Sequence, residues 1–197
     1  MILAGCNDLN KDKEELKNGS SLLHLDLSTQ GRYDECMMNF LSRPSELGDI
    51  SKGITKHFYS TGAFNLIQLV VYLLAKTGPA DVFLSTYSIS TESLSVLKRL
   101  KDKGKITSIK FLIDNRVKSI SPIQYDLLCS SFPGLYRSCA LHAKVALLYN
   151  EEWSISVVGS QNATHNPKME RGIIHTDPRV WMFDYKMLND AFNNGTD

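Results

Sequence analysis

The chain is 197 residues long and 43% hydrophobic, and its 22 Lys and Arg against 21 Asp and Glu give a formal net charge of +1. That length fits one domain plus an arm, and a domain of this size buries a sizeable core without disulfides. The near-neutral charge excludes a global positive field, so a nucleic-acid partner needs a local basic groove.

The first residues end in Leu3-Ala4-Gly5-Cys6, which looks like a bacterial lipoprotein cleavage box. A signal peptide needs a basic segment and an apolar run of about 7–15 residues before such a box. Neither precedes it, and the match is read as chance. Residues 7–20 are polar and charged and read as an exposed arm or short helix. Residues 22–27 suit a strand. Residues 32–41, with Cys36, Met37, Met38, Phe40 and Leu41, suit a short helix. Residues 1–50 are therefore set apart as an N-terminal arm or extension, and 51–197 as one domain.

A regular alternation begins near Phe64. Residues 64–76 predict a largely buried helix stopped by Gly78-Pro79. Residues 81–89 predict a buried strand. The helix over 91–101 carries Leu94, Leu97 and Leu100 on one stripe, with Gly104 as its stop. A strand follows over 106–113. Ser121 as cap and Pro122 in the first turn open a further helix containing Tyr125, Leu127 and Leu128. Pro133-Gly134 ends that connection, and 135–140 reads as a strand. Beyond the motif strands described next, 172–175 is a strand, and Asp177-Pro178 opens a closing helix through Phe192. Strands alternating with helices predict an α/β sandwich with a mixed, mainly parallel central sheet flanked by helices.

Between these elements lie two apolar strands joined by the turn Asn150-Glu151-Glu152. The first opens with His142 and Lys144, two residues apart and so on one face. Ser160 and Asn162 repeat that spacing at the end of the second, and Gly159 before them allows a close backbone approach to a ligand. An imidazole, an ammonium, a hydroxyl and an amide then converge, a set suited to holding a phosphate and attacking it. A lysine in so apolar a run is rare unless paired or functional. Imidazole titrates near neutral pH and serves as a nucleophile.

These residues resemble the phospholipase D superfamily. His142-Ala143-Lys144 matches its His-x-Lys, and Gly159-Ser160-Gln161-Asn162 its Gly-Ser-x-Asn. Glu170, before an apolar strand, matches the carboxylate of the single-motif nucleases. One position departs: Tyr149 stands where the family has Asp. The resemblance covers about Gly62 to the closing helix. It implies a metal-independent phosphodiesterase, in particular a nuclease, working through a phosphohistidine. His142 would be the nucleophile. Lys144, Ser160 and Asn162 would bind the phosphate, and Glu170 would orient the imidazole. A second imidazole must protonate the leaving oxygen. The chain has one motif, so the resemblance implies a homodimer that completes the site.

Plainer readings stand beside these. Lys144 could guard an edge strand, Glu170 could flank Arg171 on a solvated turn, and Ser160 and Asn162 could cap a turn. Arg116 lies at a strand end, where α/β sites open; it could touch a phosphate backbone, though a surface arginine is the plainer reading. The alternative functions are a catalytically impaired phosphate- or nucleic-acid-binding module, for which Tyr149 is the best support, and a phospholipid-processing enzyme. His24, His57, His165 and His175 have no metal-ligand spacing, and neither metal nor cofactor is expected. Cys6, Cys36, Cys129 and Cys139 form no close pair and read as reduced thiols of a cytoplasmic protein. No apolar run reaches the ~20 residues of a membrane helix, so no stable membrane association is expected.

Overall fold

The computed structural model describes residues 33–197. The readings at 1–32, including the strand at 22–27, Cys6 and His24, lie outside the described residues. Along the chain run β1 (Tyr33–Leu41), β2 (Ile54–Ser60), α1 (Leu66–Thr77), β3 (Ala80–Thr86), α2 (Thr91–Asp102) and β4 (Ile106–Asp114). Then come α3 (Val117–Ile120), α4 (Pro122–Ser131), β5 (Tyr136–Cys139), β6 (Val145–Tyr149), β7 (Ser154–Gly159), β8 (Glu170–His175) and α5 (Pro178–Asn193).

The strands form one sheet in the order β1-β2-β8-β7-β6-β3-β4-β5. β1 and β2 pair in parallel, as do β3, β4 and β5. The pairs β2–β8, β8–β7, β7–β6 and β6–β3 are antiparallel. Hence β1, β2, β3, β4, β5 and β7 run one way and only β6 and β8 oppose them. The sheet is mixed and mainly co-directional, flanked by helices as the alternation predicts.

One face buries the larger core, where Leu69, Val70 and Leu73 of α1, Leu94 and Leu97 of α2, and Leu128 of α4 meet Phe58, Leu84, Phe111, Ala146 and Val157 from the strands. On the other face α5 places Leu188 and Phe192 over Phe83, Leu112 and Leu147. Local signals set the helix ends. Asn65 and Gln68 form a capping box on α1, and Gly78, at φ 84°, ends it. Ser90 caps α2, and Asp177 with Pro178 opens α5.

Four sequence readings change. Residues 33–41 form an edge strand paired with β2 rather than a helix. Met38 and Phe40 lie exposed along it, so their spacing marks no buried helical stripe. β2 was not anticipated, because Lys56 and His57 interrupt its apolar pattern. Lys56 is nevertheless buried, donating to the Glu35 carboxylate and the Leu47 carbonyl. Ser121 makes no side-chain cap; its N–H continues from α3 to the Val117 carbonyl. The strand expected from His142 begins only at Val145.

Gly172 of β8 sits directly opposite Phe58 of β2. A Cβ there would run into the Phe58 ring, which is 1% exposed and hemmed in by the core. Gly172→Ala is therefore expected to lower the unfolding free energy by about 1–3 kcal/mol, read by chemical denaturation. An unchanged midpoint would show that this contact is loose.

Candidate active site at the edge of the sheet

The carboxyl ends of β2, β3, β4 and β7 share one edge of the sheet with the amino ends of β6 and β8. In α/β sheets this edge gathers loops and ligands. Residues 141–144 lie there without strand geometry and run into β6. Two buried side chains tether them. Asp114, the last residue of β4, accepts from the Leu141 N–H at 3.1 Å. Ser85 of β3 accepts from the Val145 N–H at 3.1 Å and donates to the Ala143 carbonyl at 3.3 Å.

Between these tethers His142 and Lys144 meet. The Lys144 Nζ lies 3.3 Å from His142 Nδ1 and donates to the His142 carbonyl at 2.6 Å. The lysine is buried and the imidazole exposed. Burial pushes the Lys144 ammonium below its ordinary pKa, and the Glu170 carboxylate offsets part of that shift. A protonated lysine facing Nδ1 makes that nitrogen the acceptor and leaves the ring proton on Nε2. Tyr87, just after β3, supports both groups, with its ring centre 5.2 Å from that of His142 and 5.6 Å from Lys144 Nζ. β6 lies between β3 and β7, which removes the reading of Lys144 as an edge-strand guard.

Ser160 follows β7 and shares with His142 and Lys144 the lining of a small cavity of about 300 Å³. Its hydroxyl donates to Glu170 Oε2 and accepts from the Arg171 N–H at 3.0 Å. Glu170 is the first residue of β8, 5% exposed, and takes a second bond from Asn166 Nδ2 at 2.7 Å. It is thus no part of a solvated turn. Among the described residues its hydrogen bonds go to Ser160 and Asn166, while the imidazole meets Lys144. Asn162 stands outside the cavity lining. Its carbonyl accepts from the Leu66 N–H at 3.1 Å, and its Oδ1 is buried without a hydrogen-bond partner.

Gly159 does allow a close approach, but to backbone rather than ligand: a Cβ there would lie 2.7 Å from the Arg171 carbonyl oxygen. Tyr149 ends β6 at the opposite edge of the sheet, roughly 13 Å of strand from Val145. There it packs against Trp181, ring centres 4.9 Å apart and the planes tilted by 33°. The residue in place of the family's Asp therefore does not enter the cavity. Sequence reasoning missed Tyr87, Asn166 and the tethers Ser85 and Asp114. Only the strand-end positions of Tyr87 and Asp114 hinted at them. A larger cavity of about 700 Å³ opens beside α1 and α2, with a mostly apolar lining that includes Val71, Tyr72 and Val96. The small cavity is lined by the imidazole and the ammonium, and it is the candidate site. Among the described residues no three His, Cys, Asp or Glu side chains cluster in a way that could hold a metal ion. No helix among them is long and apolar enough to cross a membrane.

No family model matches the sequence, and no curated protein matches it. Solved structures do match. A phospholipase D family member, Nuc from Salmonella typhimurium, aligns at TM-score 0.54 and 18% identity, over 73% of this chain and 96% of that one. The fold is phospholipase D-like. Polyphosphate kinase from Porphyromonas gingivalis contains a similar unit, at TM-score 0.53 and 14% identity over 73% of this chain and 26% of that one. In this phospholipase D-like fold the His-x-Lys segment lies at the sheet edge, beside the Gly-Ser-x-Asn turn.

A buried ammonium with a lowered pKa disfavours folding wherever it stays charged. That cost is full below the folded-state pKa and fades as the pH rises from there towards the ordinary value of 10.5. Lys144→Met is therefore expected to raise the melting temperature by about 2–4 °C at pH 7, with the gain shrinking as pH 10.5 is approached. A drop in melting temperature at pH 7 would show that the pairing with His142 and Glu170 outweighs burial.

Proposed function

We propose that this protein is a phosphodiesterase of the phospholipase D type, specifically a metal-independent nuclease acting as a homodimer. The observation that carries the reading is the 3.3 Å contact between Lys144 Nζ and His142 Nδ1 at the mouth of the cavity, with the imidazole exposed to an incoming substrate. Lys144 is a buried cation ready to exchange its protein contacts for phosphoryl oxygens. Once it turns to the phosphate, His142 Nδ1 is released. The ring can then carry its proton on Nδ1 and attack with Nε2.

In the first step the Nε2–P bond forms and the P–O bond to the leaving group breaks. A second imidazole gives its proton to the departing oxygen. In the second step water attacks phosphorus, that imidazole takes the water's proton, and the Nε2–P bond breaks to restore His142. The second imidazole is the partner's His142. To give that proton the partner's His142 must be imidazolium, protonated on both nitrogens; it is left neutral and so can take the water's proton in the second step.

Among the described residues no α-helix packs over the sheet face at β1, β2 and β8, and this supports a dimer. α5 packs across β4, β5, β6 and β7. On the same face Tyr59 is 43% and Phe40 56% exposed, and Ile173 is half-buried. A twofold mate seated there would bring a second motif to the same edge. Under this reading Ser160, Asn162 and Lys144 bind the phosphate, and Glu170 positions Ser160.

One observation favours a second reading, a phosphate- or nucleic-acid-binding module without turnover. The Glu170 carboxylate engages Ser160 and Asn166, not the imidazole it would orient. DNA cleavage with chelator present, compared between wild type and His142→Ala, separates the two. The nuclease reading expects the substitution to cut the rate by about 10³-fold or more, a phosphorylated His142 to be trapped on rapid quenching, and a dimer by sedimentation. Binding with no cleavage supports the module. Cleavage that survives His142→Ala, or that chelator abolishes, refutes the mechanism.

A further inference from the structure

Arg116 stands at a strand end, where the sequence leaves a phosphate contact and an ordinary surface arginine both open. It follows β4 and is 59% exposed, yet its guanidinium is fixed. Nε donates to Asp114 Oδ1 at 2.7 Å and Nη2 to Oδ2 at 3.4 Å. The guanidinium carbon also sits 4.9 Å from the centre of the Tyr87 ring, the ring that supports His142 and Lys144.

Asp114 does not use up this cation. The carboxylate is 2% exposed and also accepts from the N–H groups of Arg116 and Leu141, at 3.0 and 3.1 Å. Arginine carries five donors. The Nη1 pair has no partner among the described residues. An exposed arginine normally loses conformational freedom when it grips a phosphate. Here the fork is held in place beforehand, which reduces that loss.

Distance sets what it can grip. His142, Tyr87 and Arg116 lie in a row along the sheet edge, ahead of β6, after β3 and after β4. The 5.2 and 4.9 Å steps from imidazole to ring to guanidinium, laid end to end, bound their separation. The guanidinium does not line the cavity that His142, Lys144 and Ser160 share, so it stands outside the pocket of the first phosphate. Phosphates of one nucleic-acid strand recur every ~3.4 Å of axial rise, so a guanidinium at that range meets a phosphate within a few nucleotides of the one at His142.

We propose that Arg116 binds a second phosphate of the substrate, so that the site takes a nucleic-acid strand over several phosphodiesters rather than a single isolated one. This rests on the phosphodiesterase reading of His142 and adds a second phosphate site to it. Tyr87 is the spacer that sets the two phosphate sites apart, and Asp114 aims the fork while tethering Leu141.

The test compares a single-stranded oligonucleotide with a dinucleoside monophosphate, which has only the scissile phosphate, with chelator present. Arg116→Ala is expected to lower the preference for the oligonucleotide in kcat/KM roughly tenfold, mainly through KM, as befits one charge-assisted contact. Arg116→Lys is expected to recover part of it, since the charge remains but the fork is lost. In a His142→Ala background, oligonucleotide binding measured against salt is expected to show a log–log slope flatter by about 0.7 when Arg116 is also replaced. An equal loss on both substrates would mean that Arg116 only holds Asp114 and Leu141 in place, and would overturn the proposal. No change on either substrate would overturn it too. If wild type cleaves neither substrate but the salt slope still flattens, the phosphodiesterase reading falls and the second phosphate site stands. Neither binding nor cleavage sinks both.

Discussion

The site depends on how residues 141–145 are tethered where the chain enters the sheet. The imidazole and ammonium ride on a segment with little strand pairing of its own. Ser85 holds its carboxyl end and Asp114 its amino end, both buried polar residues at the tips of neighbouring parallel strands. A backbone N–H left unsatisfied there would cost about as much as a lost hydrogen bond, so the two side chains restrict the segment to one path. That path leaves Lys144 buried and His142 exposed at the sheet edge.

The sheet serves the same end. β6 and β8 run against the other six strands, so the residues that precede them lie beside the residues that follow β3, β4 and β7. Side chains distant in sequence thus converge: Tyr87, Asp114, His142, Lys144, Ser160 and Glu170. Gly159 and Gly172, paired across β7 and β8, let the strands close tightly where the motif turn leaves the sheet. Burial works against the charged form at Lys144, as it does at Asp184 behind the sheet.

Much of the architecture was legible from local signals. The stop at Gly78 and the opening at Asp177-Pro178 act within a few residues, and α1 ends and α5 begins close to where those signals put them. The motif residues were legible because a histidine and a lysine two apart at the head of an apolar run are chemically conspicuous. β2 was hidden by Lys56, whose burial makes sense only beside Glu35 of β1, a partner in another strand. β1 was misread because an exposed edge strand shows no alternation of burial for periodicity to report. Tyr149 drew attention as a departure in the motif. Its place at the far end of β6, packed against Trp181, is a tertiary fact.

The sequence by itself determined the order of helices and strands and the chemical groups on the motif, because capping, turn chemistry and hydrophobic pattern act over short range. Tertiary structure alone decided which groups touch. It turned Glu170 to Ser160 and Asn166 instead of His142, set Tyr87 beneath the imidazole, and made Arg116 a fixed fork beside it. Those contacts join residues tens of positions apart, and strand order, which no local pattern encodes, is what brings them within reach.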